Sequence, residues 1–323
     1  MGAYTRISVV SGQTPTTLRL GTRGSALALA QSQLIVDQLN RLHPQLNVTV
    51  TTFKTSGDQI ADRPLHELGG KGLFVRELEQ ALLDHKVDFV VHSFKDVPVA
   101  MPLVEQTNLT IAAVPQREDV RDVLVSTRAK SLSDLAPTSK IGTGSLRRRC
   151  QLLAIRPDLK IDNIRGNIDT RIRKLKAGDF QAIILALAGL KRAKLFDPTF
   201  MHPLPPDDFL PDAGQGALAI QCRRDDTATQ IWIKSLDHPP TRQCVDLERA
   251  LVAGLSGDCF SPIGTLAELM GDRVRLRAAV GRRGGELPIL KASATAPIAS
   301  SKTAVEHVLK YLSDQNVQKH LHG

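Results

Sequence analysis

Residues 18–50 read LRLGTRGSALALAQSQLIVDQLNRLHPQLNVTV, and residues 139–164 read SKIGTGSLRRRCQLLAIRPDLKIDNI. Each stretch runs from a short apolar segment through a Gly-Thr turn with a serine into a helical pattern. A His-Pro or Arg-Pro pair then precedes a second apolar segment. This order predicts a strand, a turn, a helix and a second strand in both places. We therefore expect a repeated α/β unit, in which each copy builds a parallel sheet with helices on its faces.

The two copies continue in the same way, which predicts two lobes of similar plan. Residues 71–96 and 167–192 each give a helix followed by a buried strand that ends in polar residues. Ligands of such sheets bind beyond the carboxyl ends of the strands, so we expect a cleft between the lobes. The helix of the first copy has its apolar residues at helical spacing. They are Leu27, Ala30, Leu34, Ile35, Leu39 and Leu42.

The second half of the chain predicts a return to the first lobe and then a third domain. Residues 203–223 are Pro-rich and end in a strand pattern, which is typical of a crossing between domains. Beyond residue 238 the pattern predicts a helix in 241–255, a strand in 273–281 and a helix in 301–315. We expect a first lobe of residues 15–116 with 216–236, a second lobe of 117–215 and a small α+β domain of 237–323.

The composition limits the classes of function. The chain has 323 residues, a formal net charge of +9 and a sequence pI near 9.6, which favours an anionic partner. Aromatic residues make up only 4%, which leaves little for a nucleic-acid module that stacks bases. Residues 1–17 lack a long apolar segment, and the apolar run 182–190 is too short to span a bilayer. The four cysteines lack CxxC spacing, so we expect neither a metal site nor disulfides.

Arginines stand at several predicted strand-to-helix turns. Arg147, Arg148 and Arg149 open a helix, where their charge opposes the helix dipole, and a bound anion would relieve both that mismatch and their mutual repulsion. Arg165, Arg171 and Arg192 stand at the next two turns. We expect an anion site, although a solvated charged face is the alternative. No phosphate motif such as GxxxxGK[ST] is present.

Two further stretches carry candidate chemistry. Residues 90–98, VVHSFKDVP, place Lys95 and Asp96 at a strand end, where the carboxylate can stabilise a developing cation. The alternative is a salt-bridged strand end. Residues 254–262, GLSGDCFSP, place Cys259 on a loop, where a thiolate can bond to a carbon electrophile, although nothing in composition selects it over the other cysteines. Residues 55–72 form a long polar loop of the kind used as a lid.

A set of motifs in one order carries a family resemblance. The motifs are LGTRGSALALAQ, TSGD, GGKGLFVRELEQALL, VVHSFKDVP, REDVRDVLVS, IGTGSLRRRCQL, IRGNIDTRIRKL, AIILALAGLKR, LPDAGQGALAIQCR and CFSPIG. Over nearly its whole length the chain resembles the porphobilinogen deaminase, or hydroxymethylbilane synthase, family. The resemblance implies three α/β domains, the first two like the lobes of a type II periplasmic solute-binding protein. It also implies a transferase that condenses four porphobilinogen molecules, with loss of ammonia, into linear hydroxymethylbilane.

The resemblance also implies a cofactor and a set of site residues. The growing chain is built on a dipyrromethane attached through a thioether to Cys259 and is released by hydrolysis, with Asp96 as the catalytic carboxylate. The residues expected to bind cofactor and substrate are Arg23, Ser25, Gln31, Lys71, Ser93, Lys95, Thr143, Ser145, Arg147, Arg148, Arg165, Asn167, Arg171, Arg192 and Gln215. Asp258 stands where the family often has glycine, and its charge should raise the pKa of the neighbouring thiol.

The implied partner is the small molecule porphobilinogen, with no nucleic acid and no membrane. We expect a monomer in the cytoplasm or soluble within an organelle. Two other classes of protein are alternatives on the residues alone. A non-enzymatic solute-binding protein explains a cleft with arginines but not Asp96 or a loop cysteine. A nucleic-acid binder is favoured only by the charge.

Overall fold

The computed structural model describes residues 17–55, 72, 75–99, 108–258 and 261–322. The strands, in chain order, are β1 (Thr17–Arg23), β2 (Asn47–Phe53), β3 (Phe89–Ser93), β4 (Leu109–Ala113), β5 (Asp122–Val125), β6 (Lys140–Gly142), β7 (Lys160–Asp162), β8 (Ala182–Ala186), β9 (Met201–Pro203), β10 (Leu218–Arg223), β11 (Ile263–Met270), β12 (Arg273–Val280) and β13 (Leu290–Pro297). The α-helices are α1 (Ala26–Leu42), α2 (Arg76–Leu83), α3 (Leu146–Ile155), α4 (Ile168–Lys176), α5 (Leu187–Arg192), α6 (Thr227–Ile233), α7 (Pro239–Gly254), α8 (Lys302–Asp314) and α9 (Val317–His322).

The first two sheets share one topology. The strand order is β2-β1-β3-β10-β4 in the first sheet and β7-β6-β8-β5-β9 in the second. In the first sheet β1 is parallel to β2 and β3, and in the second β6 is parallel to β7 and β8. The predicted repeat of two lobes is therefore confirmed. The predicted return to the first lobe is also confirmed, since β10 pairs with β3 and β4.

Neither lobe has the purely parallel sheet that the sequence pattern predicts. The strands β10 and β5 are antiparallel to their neighbours on both sides. Each of them arrives from the other lobe, because β5 follows β4 and β10 follows β9. The chain crosses at the edge where the parallel strands end, so an arriving strand runs away from that edge. The α/β class is confirmed, with mixed sheets in place of parallel ones.

The predicted helix is confirmed as α1, which packs on the first sheet through only part of its apolar residues. Ile35 and Leu39 are fully buried. Leu34 and Leu42 are 38% and 51% exposed and lie outside the core. The buried face takes in the polar Ser32 instead. An apolar pattern alone misses a helix face that contains a satisfied hydroxyl.

The third sheet is antiparallel, in the order β11-β12-β13, and the helices α7 and α8 pack on it. The predicted helices of 241–255 and 301–315 and the strand of 273–281 are thereby confirmed. The three sheets take their strands from 17–113 with 218–223, from 122–203 and from 263–297. The residue boundaries of the three domains remain predictions. In the described part of the chain, no helix combines the length and apolarity that crossing a membrane requires.

Candidate active site

A cleft of about 230 Å³ lies between the two lobes, where β1, β3 and β8 end. It occupies the edge of the sheets at which ligands of α/β folds bind. Ten of the predicted site residues line it, namely Arg23, Ser25, Gln31, Ser93, Lys95, Arg148, Asn167, Arg171, Arg192 and Gln215. The structure thus brings together residues that lie far apart in the sequence.

The turn of the first lobe is held by neutral hydrogen bonds. Ser25 is the N-cap of α1, and its hydroxyl accepts the backbone N–H of Ala28 at 3.3 Å. Behind it, the Ser32 hydroxyl donates to the Thr22 hydroxyl at 2.7 Å. At the cleft, the Gln31 amide donates to the hydroxyl of Ser93 at 3.0 Å. A serine cap satisfies backbone donors at a helix start, which explains why the Gly-Thr turn leads directly into a helix.

The turn of the second lobe has the same cap but a different interior. Ser145 caps α3 by accepting the backbone N–H of Arg148 at 3.4 Å. The Thr143 hydroxyl accepts the backbone N–H of Ser145 at 3.2 Å. Thr143 is buried and Ser145 half-buried, and neither is among the described side chains that line the cleft. Their predicted contact with a ligand stays a prediction.

A buried carboxylate supplies the anion that the crowded arginines need. Asp122, the first residue of β5, is fully buried and pairs with Arg147 and Arg148, each at 2.7 Å. Burial alone would raise the pKa of Asp122, but the two guanidinium charges outweigh it and hold that pKa well below the ordinary range. The sequence pattern predicted that a ligand supplies this neutralisation. Asp122 was not predicted, because its only signal is an acidic residue at the start of an apolar strand.

The three adjacent arginines therefore have three different placements. Arg147 is buried, and one of its nitrogens donates to both Asp122 and the carbonyl of Leu210. Arg148 shares Asp122 but also lines the cleft. Arg149 donates to the carbonyl of Ile161 at 3.0 Å. Arg147 is not among the described lining residues, so its predicted role in binding remains a prediction.

The cations that line the cleft outnumber its acids. The cationic lining residues are Arg23, Lys95, Arg148, Arg171 and Arg192, whereas Asp169 is the acidic residue among the described ones. Burial lowers the pKa of Arg171 to about 10, with further lowering by the charges of Arg148 and Arg165. Burial likewise lowers the pKa of Arg192 to about 10. Such shifts mean that a bound anion would be stabilised here.

A short turn at the end of β3 carries the predicted catalytic residue Asp96 and the predicted binding residue Lys95. Residues 94–96 form a single 3-10 turn, and both Lys95 and Asp96 are half-buried. Lys95 donates to the Gln215 side chain at 3.3 Å, and Gln215 in turn donates to Asp122 at 3.0 Å. Burial and the charge of Arg148 lower the pKa of Lys95, while nearby carboxylates including Asp96 and Asp212 oppose this.

Asp212 is a further carboxylate near Lys95 that the sequence patterns did not indicate. Asp212 and Lys95 line one cavity of about 20 Å³, together with Arg249 and Asp258. Burial raises the pKa of Asp212 in spite of the neighbouring cations. This cavity connects the 94–96 turn with the loop before residue 259.

Cys259, Lys71 and nearly all of the predicted lid of 55–72 lie outside the described residues. Asp258 is described, and it accepts a hydrogen bond from the Ser261 hydroxyl at 2.9 Å. The other three cysteines are buried, and burial raises the pKa to about 11 for Cys150, about 12 for Cys222 and about 11 for Cys244. Thiols with such pKa values are poor nucleophiles. Within the described residues, no three His, Cys, Asp or Glu side chains cluster as a metal site requires.

Among solved structures, the chain is similar to two bacterial binding proteins. One is a putative methionine-binding lipoprotein of Bacillus subtilis, with 13% identity and a TM-score of 0.42, over 68% of this chain and 90% of that one. The other is a periplasmic binding protein of Salmonella typhimurium with high arginine specificity, with 15% identity and a TM-score of 0.39, over 73% of this chain and 94% of that one.

Comparison of the sequence with families and curated proteins gives a closer relationship. The family model "Porphobilinogen deaminase, dipyromethane cofactor binding domain" matches residues 18–231, and "Porphobilinogen deaminase, C-terminal domain" matches residues 242–314. The porphobilinogen deaminase of Nitrobacter hamburgensis is 47% identical over 273 residues, which cover 84% of each chain. The chain with this arginine-lined cleft therefore belongs to the porphobilinogen deaminase family.

Proposed function

We propose that this chain is a transferase that condenses four porphobilinogen molecules, with loss of ammonia, into linear hydroxymethylbilane, which is released by hydrolysis. The chain grows on a dipyrromethane that is attached through Cys259. The observation that carries this proposal is the inter-lobe cleft, which among the described residues is lined by five cationic side chains and one carboxylate, in a chain of this family.

The charge of the cleft fits an oligomer of porphobilinogen. Each pyrrole brings an acetate and a propionate, so every condensation adds two negative charges to the bound chain. Arginine pairs with carboxylates through two parallel hydrogen bonds, and two buried donors of the cleft wall, Arg148 Nε and Arg192 Nε, have no partner in the described structure. The lowered pKa values of Arg171 and Arg192 further favour an incoming anion.

Lys95 and Asp96 have complementary roles in this proposal. The dipyrromethane, when bound, supplies the pyrrole carbon to which each new unit is joined. Lys95, placed by Gln215, pairs with a substrate carboxylate. Asp96 accepts hydrogen bonds from pyrrole N–H groups and stabilises the positive charge that develops as ammonia leaves. Asp96 is half-buried on the turn that also carries the cleft residue Lys95, and a fixed, partly dehydrated carboxylate stabilises such a charge more than water does.

The assignment of the attachment to Cys259 is supported by the other three cysteines. Cys150, Cys222 and Cys244 are buried with raised pKa values, which disfavours thioether formation at any of them. Asp258 is expected to raise the pKa of the adjacent thiol, so attachment should become faster as the pH rises.

Intact mass spectrometry tests both the cofactor and its site. The protein purified from cells that make porphobilinogen should exceed its sequence mass by two pyrrole units. Cys259→Ser should have the unmodified mass and no turnover, whereas the matched variant Cys244→Ser should retain the addition. An unmodified wild-type mass, or a loaded Cys259→Ser protein, would overturn the proposed attachment.

Asp96→Asn tests the proposed catalytic carboxylate. The variant should carry the cofactor, as judged by mass, yet lose at least about a hundredfold in kcat, because it removes charge stabilisation that the reaction needs. Near-normal turnover of the loaded variant would refute the role of Asp96.

We also propose that the protein acts as a monomer on its small-molecule substrate, without nucleic acid or membrane, in the cytoplasm or soluble within an organelle. Support comes from a cleft whose two walls are both supplied by lobes of the same chain. Light scattering coupled to size exclusion should give the mass of one chain, and a dimer mass at working concentration would contradict this.

A further inference from the structure

Arg249, on the helix α7 of the third domain, makes a set of contacts that the proposed chemistry does not use. Its two terminal nitrogens donate to consecutive backbone carbonyls, those of Val97 and Pro98, each at 2.7 Å. Its guanidinium group lies over the ring of Phe94, 4.7 Å from the centroid. One side chain of the third domain therefore touches the first residue of the 94–96 turn and the two residues that follow it.

The same turn is held from its other side by the first lobe. The backbone N–H of Phe94 donates to the carbonyl of Ala217 at 3.0 Å. Gly214 packs against the turn so closely that a Cβ there would lie 3.3 Å from Phe94 Cβ and 3.4 Å from the backbone nitrogen of Lys95. The turn is thus clamped between the crossing segment at 214–217 and Arg249.

The guanidinium group of Arg249 needs both of its hydrogen bonds because it is largely desolvated. The guanidinium group is largely removed from water, and burial lowers its pKa to about 10, an effect that Asp246 partly opposes. A desolvated charge is costly unless its hydrogen bonds are good, so the two short bonds must both form to offset that cost. This requirement fixes the distance between α7 and the residues after Asp96 more tightly than apolar packing does.

The helix that carries Arg249 also leads to the predicted attachment point. α7 ends at Gly254, and Asp258 follows after a short connection. Arg249, Asp258 and Lys95 line the same small cavity. The side chain therefore lies between the 94–96 turn and the loop that precedes residue 259.

We propose that Arg249 is a positioning residue for the reaction. It holds the 94–96 turn in a fixed relation to the third domain, so that Asp96 keeps its place relative to a chain tethered at residue 259. The inference rests on the proposed function in that it takes Asp96 as the catalytic carboxylate. A misplacement of about 1 Å at a reacting group can cost about a hundredfold in rate, so contacts that fix the position of the 94–96 turn can affect catalysis strongly.

The chain offers a matched control on the same helix. Arg242 also reaches from α7 to carbonyls of the first lobe, donating to Ala112 at 3.1 Å and pairing with Asp237 at 2.8 Å. Those contacts are on and beside β4, not at the 94–96 turn. Arg242→Gln therefore removes a comparable link between domains without touching the turn.

The experiment compares Arg249→Gln, Arg249→Lys and Arg242→Gln in the loaded enzyme, with loading verified by intact mass. Arg249→Gln should lower kcat by about tenfold to a hundredfold with KM changed less than about threefold. Arg249→Lys, which keeps the charge but can serve only one carbonyl well, should be intermediate. Arg242→Gln should keep kcat within about twofold of the wild type, even where its melting temperature falls as much as that of Arg249→Gln.

Hydrogen exchange gives a readout that does not depend on turnover. In Arg249→Gln the amides of 94–97 should exchange faster, whereas in Arg242→Gln the change should fall on 109–113. Unchanged exchange at 94–97, or an equal loss of kcat in both glutamine variants, would overturn the positioning role. If Asp96→Asn kept full turnover while Arg249→Gln still loosened the turn, the proposed catalytic role would fail and the clamp would stand.

Discussion

The two lobes have the same topology but different chemistry at equivalent places. In each lobe the arriving antiparallel strand begins opposite the last residue of a parallel strand, with Leu218 opposite Ser93 and Asp122 opposite Ala186. The first position is apolar and the second is a buried carboxylate. A repeated scaffold therefore carries a neutral turn in one copy and an ionic turn in the other. Three of the five described cations that line the cleft come from the second copy, and one of them, Arg148, pairs with Asp122 on its arriving strand.

The largest expected effect on stability comes from removing the buried carboxylate of the second lobe. Asp122→Asn leaves Arg147 and Arg148 buried without their counter-charge, which should cost about 3–5 kcal/mol of unfolding free energy. Urea unfolding of wild type and variant measures it. A change at the neutral turn of the first lobe, Ser93→Ala, removes only neutral hydrogen bonding with Gln31 and should cost about 1 kcal/mol. Equal costs at the two sites would remove the contrast between the lobes.

The ionic turn also predicts how stability depends on acid. The pKa of Asp122 is lower in the folded protein than the value of about 3.9 expected in the unfolded chain. Its contribution is therefore fully present above about pH 4 and is lost as the pH falls toward the folded pKa. Urea titrations below pH 4 should show the wild type losing stability more steeply than Asp122→Asn. Parallel pH profiles for the two proteins would contradict this.

In the first lobe, the pKa of Lys95 depends in part on carboxylates of the segments that cross between the lobes. Asp212→Asn removes a negative charge near Lys95, so the pKa of Lys95 should fall and its amine should become reactive at lower pH. Reductive labelling of Lys95 with pyridoxal phosphate and borohydride across a pH series measures the shift. Asp208→Asn, an exposed change in the same Pro-rich segment, should leave the profile unchanged. Coincident profiles for wild type and Asp212→Asn would show that Lys95 does not sense this carboxylate.

The smallest effects should be equal in the two lobes. Ser25→Ala and Ser145→Ala each remove an N-cap that accepts one backbone N–H, and each should cost about 1 kcal/mol. Thermal unfolding of the two single variants gives the comparison. A much larger cost for Ser145→Ala would mean that this cap also supports the ionic turn.

Local sequence patterns predicted the order of helices and strands. The features that they did not predict depend on contacts between residues that are distant in the sequence. The two Gly-Thr turns, their serine caps and the order of helices and strands follow from periodicity and capping. The sheets are mixed because strands cross between lobes, and a pattern read along one segment does not show where that segment pairs. The exposure of Leu34 has a similar origin, because Ser32 is buried once its hydroxyl finds Thr22.

The same holds for the candidate site: local patterns predicted some of its residues, and distant partners determine the rest. Polar residues at strand ends and strand-to-helix turns were a useful guide, since eight of them line one cleft, whereas Gln31 and Gln215 were implied only by the family resemblance. For Arg147 the structure shows an internal partner, Asp122, because a guanidinium group at a strand end can face an internal acid as readily as a ligand; its predicted role in binding stays a prediction. No spacing rule links Asp122 to residues 147 and 148, and only the fold brings them within 2.7 Å.

The double crossing between the lobes has a consequence for how the chain acquires its structure during synthesis. Every strand of the second sheet has been made by residue 203, so that lobe can close on the ribosome as a contiguous unit. The first sheet has no strand between β3 and β4 until residues 218–223 emerge. We expect the N-terminal lobe to be completed after the lobe that follows it. Until β10 is synthesised, β3 and β4 lack the strand that pairs with both of them, so we expect this part of the nascent chain to depend most on a chaperone.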